Sequence, residues 1–562
     1  MSKKNIFDAI VIGSGMTGGW ASKELTEKGL KVLLLERGRN VKHGVDYKTE
    51  HKPDWEFPYR DQGDRKVFKE EYQIQSQCYA FGEPTKHFFV NDKQHPYKTP
   101  EGKPYNWIRG YHLGGRSLMW ARQSYRLSDL DFTANARDGV AIDWPVRYHE
   151  IEPWYDYVES FIGISGQKEG LPHLPDGKFQ RPMEMNCVEL AVKEKIENKF
   201  PGRIMTIGRT ATLTEGKPGR AACHYCGPCH RGCSTGSYFS SLSSTLPAAM
   251  ATKNLTIRPD SIVYGLVYDE KKDRVSGVRV IDRNTKESQI FNSKIVFLCA
   301  STLGSTQILL NSSTPRFSTG LGNSSGVLGH YLMDHIFQAG AVGKMPGFND
   351  KYYSGRRPTG IYVPRFQNLK KNNREFLRGY AFQGRGSRPG WSRGNGISGF
   401  GRELKHALRQ PGDWEMHFGG FGECLPRYEN QVTLDPQEVD EWGIPIPNIN
   451  ASWSENEKLI QKDASISAAE MLEASGAKDI SPYINNVPPG FAIHEMGTAR
   501  MGKDPKTSVL NKFNQSHDIS NLFITDGSFM TSNANQNPSL TYMAFTARAC
   551  NYAVEQMRKG NI

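Results

Sequence analysis

Residues 8–12, Asp-Ala-Ile-Val-Ile, form an apolar run of strand length, and a glycine-rich segment follows at once. A helical pattern then covers 17–28, and a second apolar run, Lys31–Glu36, ends on a carboxylate. Strand, helix and strand within about 30 residues predict a βαβ unit. Further along, residues 255–281 alternate like a β-hairpin. The stretch 340–490 is rich in Gly, Arg and aromatic residues. No apolar run approaches the roughly 20 residues that span a bilayer, and no repeat, low-complexity tract or charge block stands out.

At 562 residues the chain exceeds the size of one growing core, so two or more subdomains are expected. An apolar fraction of 37% with 56 Gly and 31 Pro fits a loop-rich α/β enzyme and excludes a fibrous or disordered chain. The first residues run straight into a strand, which leaves no room for a signal peptide. Lys and Arg outnumber Asp and Glu by 71 to 59, a net charge of +12. The basic residues read as scattered over a solvated surface. Docking to an acidic protein or an anionic membrane is the second reading, and no nucleic-acid module is visible.

The βαβ unit carries the first chemistry. Gly13 allows a tight turn, Gly15 lets the backbone approach a pyrophosphate, and Gly18 permits close helix–strand packing. Met16 and Thr17 open the helix, whose unpaired amides favour an anion. Glu36 can accept bonds from adenosine ribose hydroxyls and would repel a 2′-phosphate, which argues against NADP. FAD and NAD are not distinguished by this unit.

Four of the nine cysteines fall within eleven residues, at Cys223, Cys226, Cys229 and Cys233. Thiolates this dense repel one another unless a soft metal or disulfides hold them. The C-x2-C-x2-C-x3-C spacing is that of an iron–sulfur loop. A zinc site with His224 and His230 and a pair of disulfides are the competing readings. The other five (Cys78, Cys187, Cys299, Cys424, Cys550) read as buried thiols.

Four later segments resemble the glucose–methanol–choline (GMC) oxidoreductase family, in its order along the chain. They are Gly110–Trp120 with Gly114, Gly115, Ser117 and Met119; Lys294–Leu310 with Ala300; Gly329–His335; and the C-terminal set His494–Gly502, Asn521–Ser528 and Asn537–Thr541. The resemblance implies a mixed α/β fold, with a Rossmann-like FAD domain interleaved with a substrate domain on an antiparallel sheet. The FAD domain takes 1–135, 205–335 and 490–562; the cap and substrate pieces take 136–204 and 336–489. His494 takes the role of base and Asn537 that of its partner on the substrate oxygen. Asp526, Gly527, Asn537 and Pro538 take positions along the flavin, and the second segment reads as strand, glycine turn and helix. The hairpin 255–281 would flank the adenine half. Some members attach flavin to a His where this chain has Met119, so FAD is expected without a covalent bond.

Within the family the chain resembles bacterial sugar dehydrogenases with a [3Fe–4S] cluster on a C-x5-C-x3-C pattern. Cys223, Cys229 and Cys233 reproduce it, with Cys226 as a possible fourth ligand of a [4Fe–4S] cluster. The resemblance implies oxidation of a sugar or glycoside hydroxyl, foremost glucoside 3-dehydrogenation, with electrons leaving to a cytochrome c-type or quinone acceptor. It also implies a small export subunit and a periplasmic location, with a cytoplasmic one as alternative. An oxygen-using oxidase and a non-catalytic flavin subunit are the rival functions. Trp391, Trp414, Phe418 and Trp442 are candidates to stack on sugar rings, though core is the expectation for each. Gln383, Arg385 and His417 are polar candidates.

Overall fold

The first apolar run is the strand Ile6–Ile12, near the middle of a seven-stranded sheet. It pairs in parallel with Val32–Leu35 on one side and Ser288–Leu298 on the other. Ala9, Ile10 and Val11 are fully buried, as expected of a parallel strand covered on both faces. Leu255–Arg258 extends the parallel set beyond Val32–Leu35, and Leu522–Ile524 pairs with Ser288–Leu298. The antiparallel hairpin is Ser261–Asp269 with Arg274–Asp282. The segment 255–281 is therefore a parallel strand followed by the two strands of the hairpin, the strand and the hairpin being separate pieces. Asp260 sits between them at φ 51°, a left-handed conformation Asp tolerates, and breaks the alternation. This computed structural model describes residues 6–352 and 355–562.

A second sheet, of six antiparallel strands, runs in the order Lys478–Ile484, Ile336–Met345, Trp414–Gly422, Tyr380–Ser387, Ile361–Val363 and Thr206–Ile207. The helix Glu455–Ala474 lies across one face. Its Ile460, Ala464, Ala468 and Met471 recur at spacings of one helical turn and share a core with Phe382, Met416 and Phe418. Each large apolar side chain buried there contributes roughly 1.5–3 kcal/mol. Because a strand alternates its side chains, filling that core with Trp414, Met416 and Phe418 turns His417 and Phe421 to the opposite face.

That alternation decides the aromatic candidates. Trp414 and Phe418 are fully buried core residues, and Trp442 is stacked on His95 at 5.6 Å with the Arg37 guanidinium 5.3 Å from its ring centre. The side chain of Trp391, like residues 1–5, lies outside the described residues. Among the described residues no helix is long and apolar enough to cross a membrane. Of the five isolated cysteines, four are buried and Cys187 is half-buried at the start of a helix.

Candidate active site

One continuous cavity joins the two sheets, from the glycine turn after the first strand to the aromatic face of the antiparallel sheet. At its first end Gly13, Gly15, Met16, Thr17 and Glu36 line the wall. Gly13 has φ 94°, and a Cβ there would stand 2.4 Å from the Cys299 carbonyl oxygen. A Cβ on Gly18 would stand 1.7 Å from the Gly13 carbonyl oxygen, so Gly18 serves packing and does not line the cavity. Nothing stands within 4 Å of a Cβ built on Gly15. The helix Met16–Glu27 begins there without a side-chain cap. Its first amides are thus free for an anion, and the bare Gly15 leaves the space a pyrophosphate needs. The cradle fits a dinucleotide.

Glu36 accepts from the Ser14 amide (3.1 Å), the Ser14 hydroxyl and the Gly38 amide (2.9 Å), and burial pushes its pKa up. Both Ser14 bonds fall on Oε2, so Oε1, which accepts only from Gly38, keeps a lone pair for a ribose hydroxyl. The Ser14 hydroxyl also accepts from Gly114 N–H at 2.9 Å. That bond ties the first turn to the loop carrying Gly115, Ser117 and Met119, all of which line the cavity. Gly114 itself stands outside the lining, with φ 90°.

The second segment departs from its expected glycine turn. After the strand Ser288–Leu298 the chain turns at Ala300 and Ser301, the latter at φ 70°, and Gly304 lies inside the helix Thr302–Leu310. Ala300, Ser301 and Gly304 line the cavity. Asp526, buried there, is fixed by hydrogen bonds from the hydroxyls of Ser305 and Ser528, and burial raises its pKa. Gly527, Asn537 and Pro538 continue the wall, and the helix Ser539–Arg558 starts at it.

At the far end His494 and Asn537 meet, with His494 Nε2 and Asn537 Nδ2 3.4 Å apart. The surrounding hydrogen bonds assign their protons. His335 Nε2 lies against the Ala534 carbonyl, which only accepts, so Nε2 carries the His335 proton. His335 Nδ1 is then a lone pair, and His494 Nδ1–H donates to it at 2.8 Å. His494 Nε2 is left bare toward the cavity. Gln383 Nε2 donates to Asn537 Oδ1 at 2.6 Å, which turns the Asn537 NH2 toward that nitrogen. A hydroxyl placed there can donate to His494 and accept from Asn537 at once.

Burial, with His335 and Arg116 adding to it, holds the His494 pKa well below its usual 6.5. Burial likewise lowers His335 to about 4. Both rings are therefore neutral at neutral pH, which the tautomer assignment requires. Asp334 accepts from the amides of Gly490 (2.8 Å), Ala492 (3.1 Å) and His494 (3.0 Å), pinning the loop that presents the imidazole. Its carboxyl is pushed up to about 7 by burial and by Glu495. Phe337, Phe421 and Phe491 roof this end, with Phe337 and Phe421 4.5 Å apart. Sequence reasoning missed these three; strand parity was the signal for Phe337 and Phe421, whereas Phe491 lies in a turn and carried none. Of the polar candidates, Gln383 joins the site, Arg385 is exposed, and His417 is bonded to the Tyr483 hydroxyl at 2.7 Å.

The four-thiol loop packs beside the cavity. His230 meets Tyr79 edge-on at 5.3 Å, and Tyr79 and Arg122 line the wall, Arg122 within electrostatic reach of Cys229. All four cysteines are free, Cys226 exposed and Cys223, Cys229 and Cys233 half-buried. Burial and then the neighbouring thiols raise the pKa of Cys223 and Cys226, so the four sulfurs sense one another. Yet among the described residues no three Cys, His, Asp or Glu side chains are arranged to hold a metal ion. The iron–sulfur expectation for Cys223, Cys229, Cys233 and Cys226 thus meets a donor set of suitable chemistry that is not assembled as ligands. Gly227 and Gly232, at φ 99° and 109°, turn the chain between these sulfurs.

Comparison with known proteins agrees with this arrangement. Family models described as GMC oxidoreductase match residues 7–337 and 426–546. The chain is 29% identical to a 2-methyl-1,2-propanediol dehydrogenase of Mycolicibacterium austroafricanum, across 97% of this chain and 94% of that protein. It is 24% identical to the fructose dehydrogenase large subunit of Gluconobacter japonicus, across 98% of each. A pyridoxine 4-oxidase from Mesorbium loti shares the fold, with a TM-score of 0.60 at 16% identity, covering 98% of this chain and 99% of that one. Matched over most of its length, the protein belongs to the GMC oxidoreductase family, whose members use FAD to oxidise CH–OH groups.

Proposed function

We propose that the protein is an FAD-dependent dehydrogenase acting on a sugar or glycoside hydroxyl, foremost as a glucoside 3-dehydrogenase forming a 3-keto sugar. The observation that carries the reading is the bare His494 Nε2 beside the Asn537 amide, under an apolar aromatic roof. A sugar presents both a hydroxyl for such a pair and a C–H face for aromatic rings. Bound along Gly13, Gly15, Glu36, Met119, Ala300 and Asp526 without a covalent link, FAD supplies the acceptor for the hydride of the carbinol carbon. His494 Nε2 takes the hydroxyl proton. Asn537 Nδ2 donates to the same oxygen and stabilises its developing charge. Gln383 and His335 hold these two groups in their working orientations, and the phenylalanine roof excludes water.

With the charged form of His494 disfavoured, the base stays neutral as pH falls past 6.5 and is lost only lower. The acid limb of kcat/KM is therefore expected below pH 6.5. A limb at 6.5 or above in the pH–rate profile would contradict the buried, neutral imidazole.

The thiol loop favours a dehydrogenase over an oxidase, because an iron–sulfur cluster on Cys223, Cys229 and Cys233, with Cys226 as alternative fourth ligand, would lie beside the flavin cavity. A cytochrome c-type acceptor, a small export subunit and a periplasmic location complete the reading. The name of the fructose dehydrogenase relative, a large subunit, supports partner subunits. Iron and acid-labile sulfide, counted per flavin in protein purified without air, are expected near three and four. Zinc or no metal would remove the cluster, and peroxide formed in step with sugar oxidation in air would move the reading to an oxidase.

A further inference from the structure

The positive charge of this protein is concentrated. Residues 351–413 carry 14 Lys and Arg against 3 Asp and Glu, which is +11 of the total +12. The remaining chain is nearly balanced, 57 against 56. The basic residues are thus not scattered, and a charge block does exist. Part of it is spent internally: Arg357 pairs with Glu189, Arg365 with Glu423 and Arg378 with Asp138. Lys351 and Arg374 pair with Asp350 and Asp463, whereas Arg356, Arg385, Arg402, Lys405 and Arg409 face solvent.

Two pieces of this stretch meet at one end of the antiparallel sheet. Arg388 donates to the carbonyls of Asn349 (3.2 Å) and Lys351 (3.0 Å), fastening the segment after Tyr380–Ser387 to the one before Ile361–Val363. Arg393 in turn donates to the Leu408 carbonyl at 2.9 Å, fixing the helix Gly401–Arg409 on the same end. The helix turns Leu408 inward over Gly394 and leaves Arg402, Lys405 and Arg409 exposed. No carboxylate of the described residues pairs with those three. This face adjoins the thiol loop, since Arg356 N–H donates to the Tyr225 carbonyl at 2.8 Å and its side chain covers Gly227.

We infer that this face, built on Arg356, Arg402, Lys405 and Arg409, is the docking surface for an acidic protein. A helix that lies in a membrane turns its apolar stripe outward, whereas this one turns it inward and shows cations. Two aromatics stand out beside these arginines, Phe400 at 88% exposure and Tyr352 at 71% with Arg388 over its ring, the composition protein interfaces favour. Unpaired cations on a surface steer a carboxylate-rich partner and raise its association rate by about 10–10³-fold at low salt. The inference is independent of what the thiols hold.

The test uses the FAD-loaded protein without sugar, in biolayer interferometry, against cytochrome c whose lysines have been succinylated and against the unmodified basic cytochrome. The succinylated protein is expected to bind, weakening on the order of tenfold between about 0.02 and 0.2 M salt as the Debye length shrinks. The variant R402E/K405E/R409E should lose about tenfold or more of that binding while keeping its FAD and its turnover with a neutral quinone. Should that variant not fold, Lys405→Glu alone must still weaken binding in the same direction. Equal binding of both cytochromes, undiminished binding by the variants, or equally tight capture of phosphatidylglycerol vesicles or duplex DNA overturns the inference. Because docking is read without turnover, iron-free protein leaves the outcome unchanged and bears only on the redox reading.

Discussion

Replacing His494 with Ala is expected to lower kcat by about 10²–10⁴-fold while FAD stays bound, since a positioned general base contributes that much. The residue stands at the far end of the cavity from the dinucleotide cradle, so the flavin absorbance of the purified variant should match that of wild type. Its neighbours test the geometry more finely. His335→Leu removes the acceptor of the 2.8 Å bond from His494 Nδ1 and frees the ring to adopt the other tautomer. The loss there should fall mainly on kcat, with an altered acid limb, because His335 touches the imidazole and not the substrate. If H494A kept turnover within about tenfold of wild type, general-base catalysis by this residue would be excluded, and the non-catalytic flavin subunit would become the better reading.

The second large effect separates two glycines three residues apart. Gly18→Ala is expected to destabilise the first βαβ unit by about 1–3 kcal/mol or more, because its methyl would sit 1.7 Å from a backbone oxygen that cannot move aside. Its product should be poorly soluble or free of flavin. Gly15→Ala meets nothing within 4 Å on the protein side, so it should fold with an unchanged thermal transition when stripped of FAD. It should nevertheless bind FAD more weakly, because its methyl projects where a pyrophosphate approaches the helix amides. Thermal melts of the apo forms and flavin titration distinguish the two. Equal loss of fold in both would mean that Gly15 is needed for packing and not for the ligand.

Much of the first half of the site was legible because its determinants are local. A strand ending in Gly13, a helix opening at Met16 and a carboxylate at Glu36 are consequences of turn sterics and hydrogen bonding within about 30 residues. The structure reproduces them as Ile6–Ile12, Met16–Glu27 and Val32–Leu35. The expected glycine turn at 300–304 failed for a reason equally local: Ser301 itself accepts the left-handed φ, and Gly304 is left to the helix. Trp414 and Phe418 are core, as expected for aromatics, and the reason is tertiary: the Glu455–Ala474 helix covers their face of the strand. The charge block was legible in the sequence, but a whole-chain total dilutes 63 residues into 562.

By itself the sequence determined the nucleotide cradle, which is written in one short run whose physics is complete within it; the order of the later segments and the expected roles of His494 and Asn537 came from their resemblance to the family. Only the tertiary structure decided which nitrogen of His494 is bare, because that follows from His335 and the Ala534 carbonyl, which lie 159 and 40 positions away in the chain. It alone decided that Phe337 and Phe421 form the roof, since a strand residue faces the cavity or the core according to its partner layer, and that the turn at Phe491 joins them. The same holds for the surface: packing brought two basic segments together at one sheet end, and neither carries that neighbourhood in its own residues.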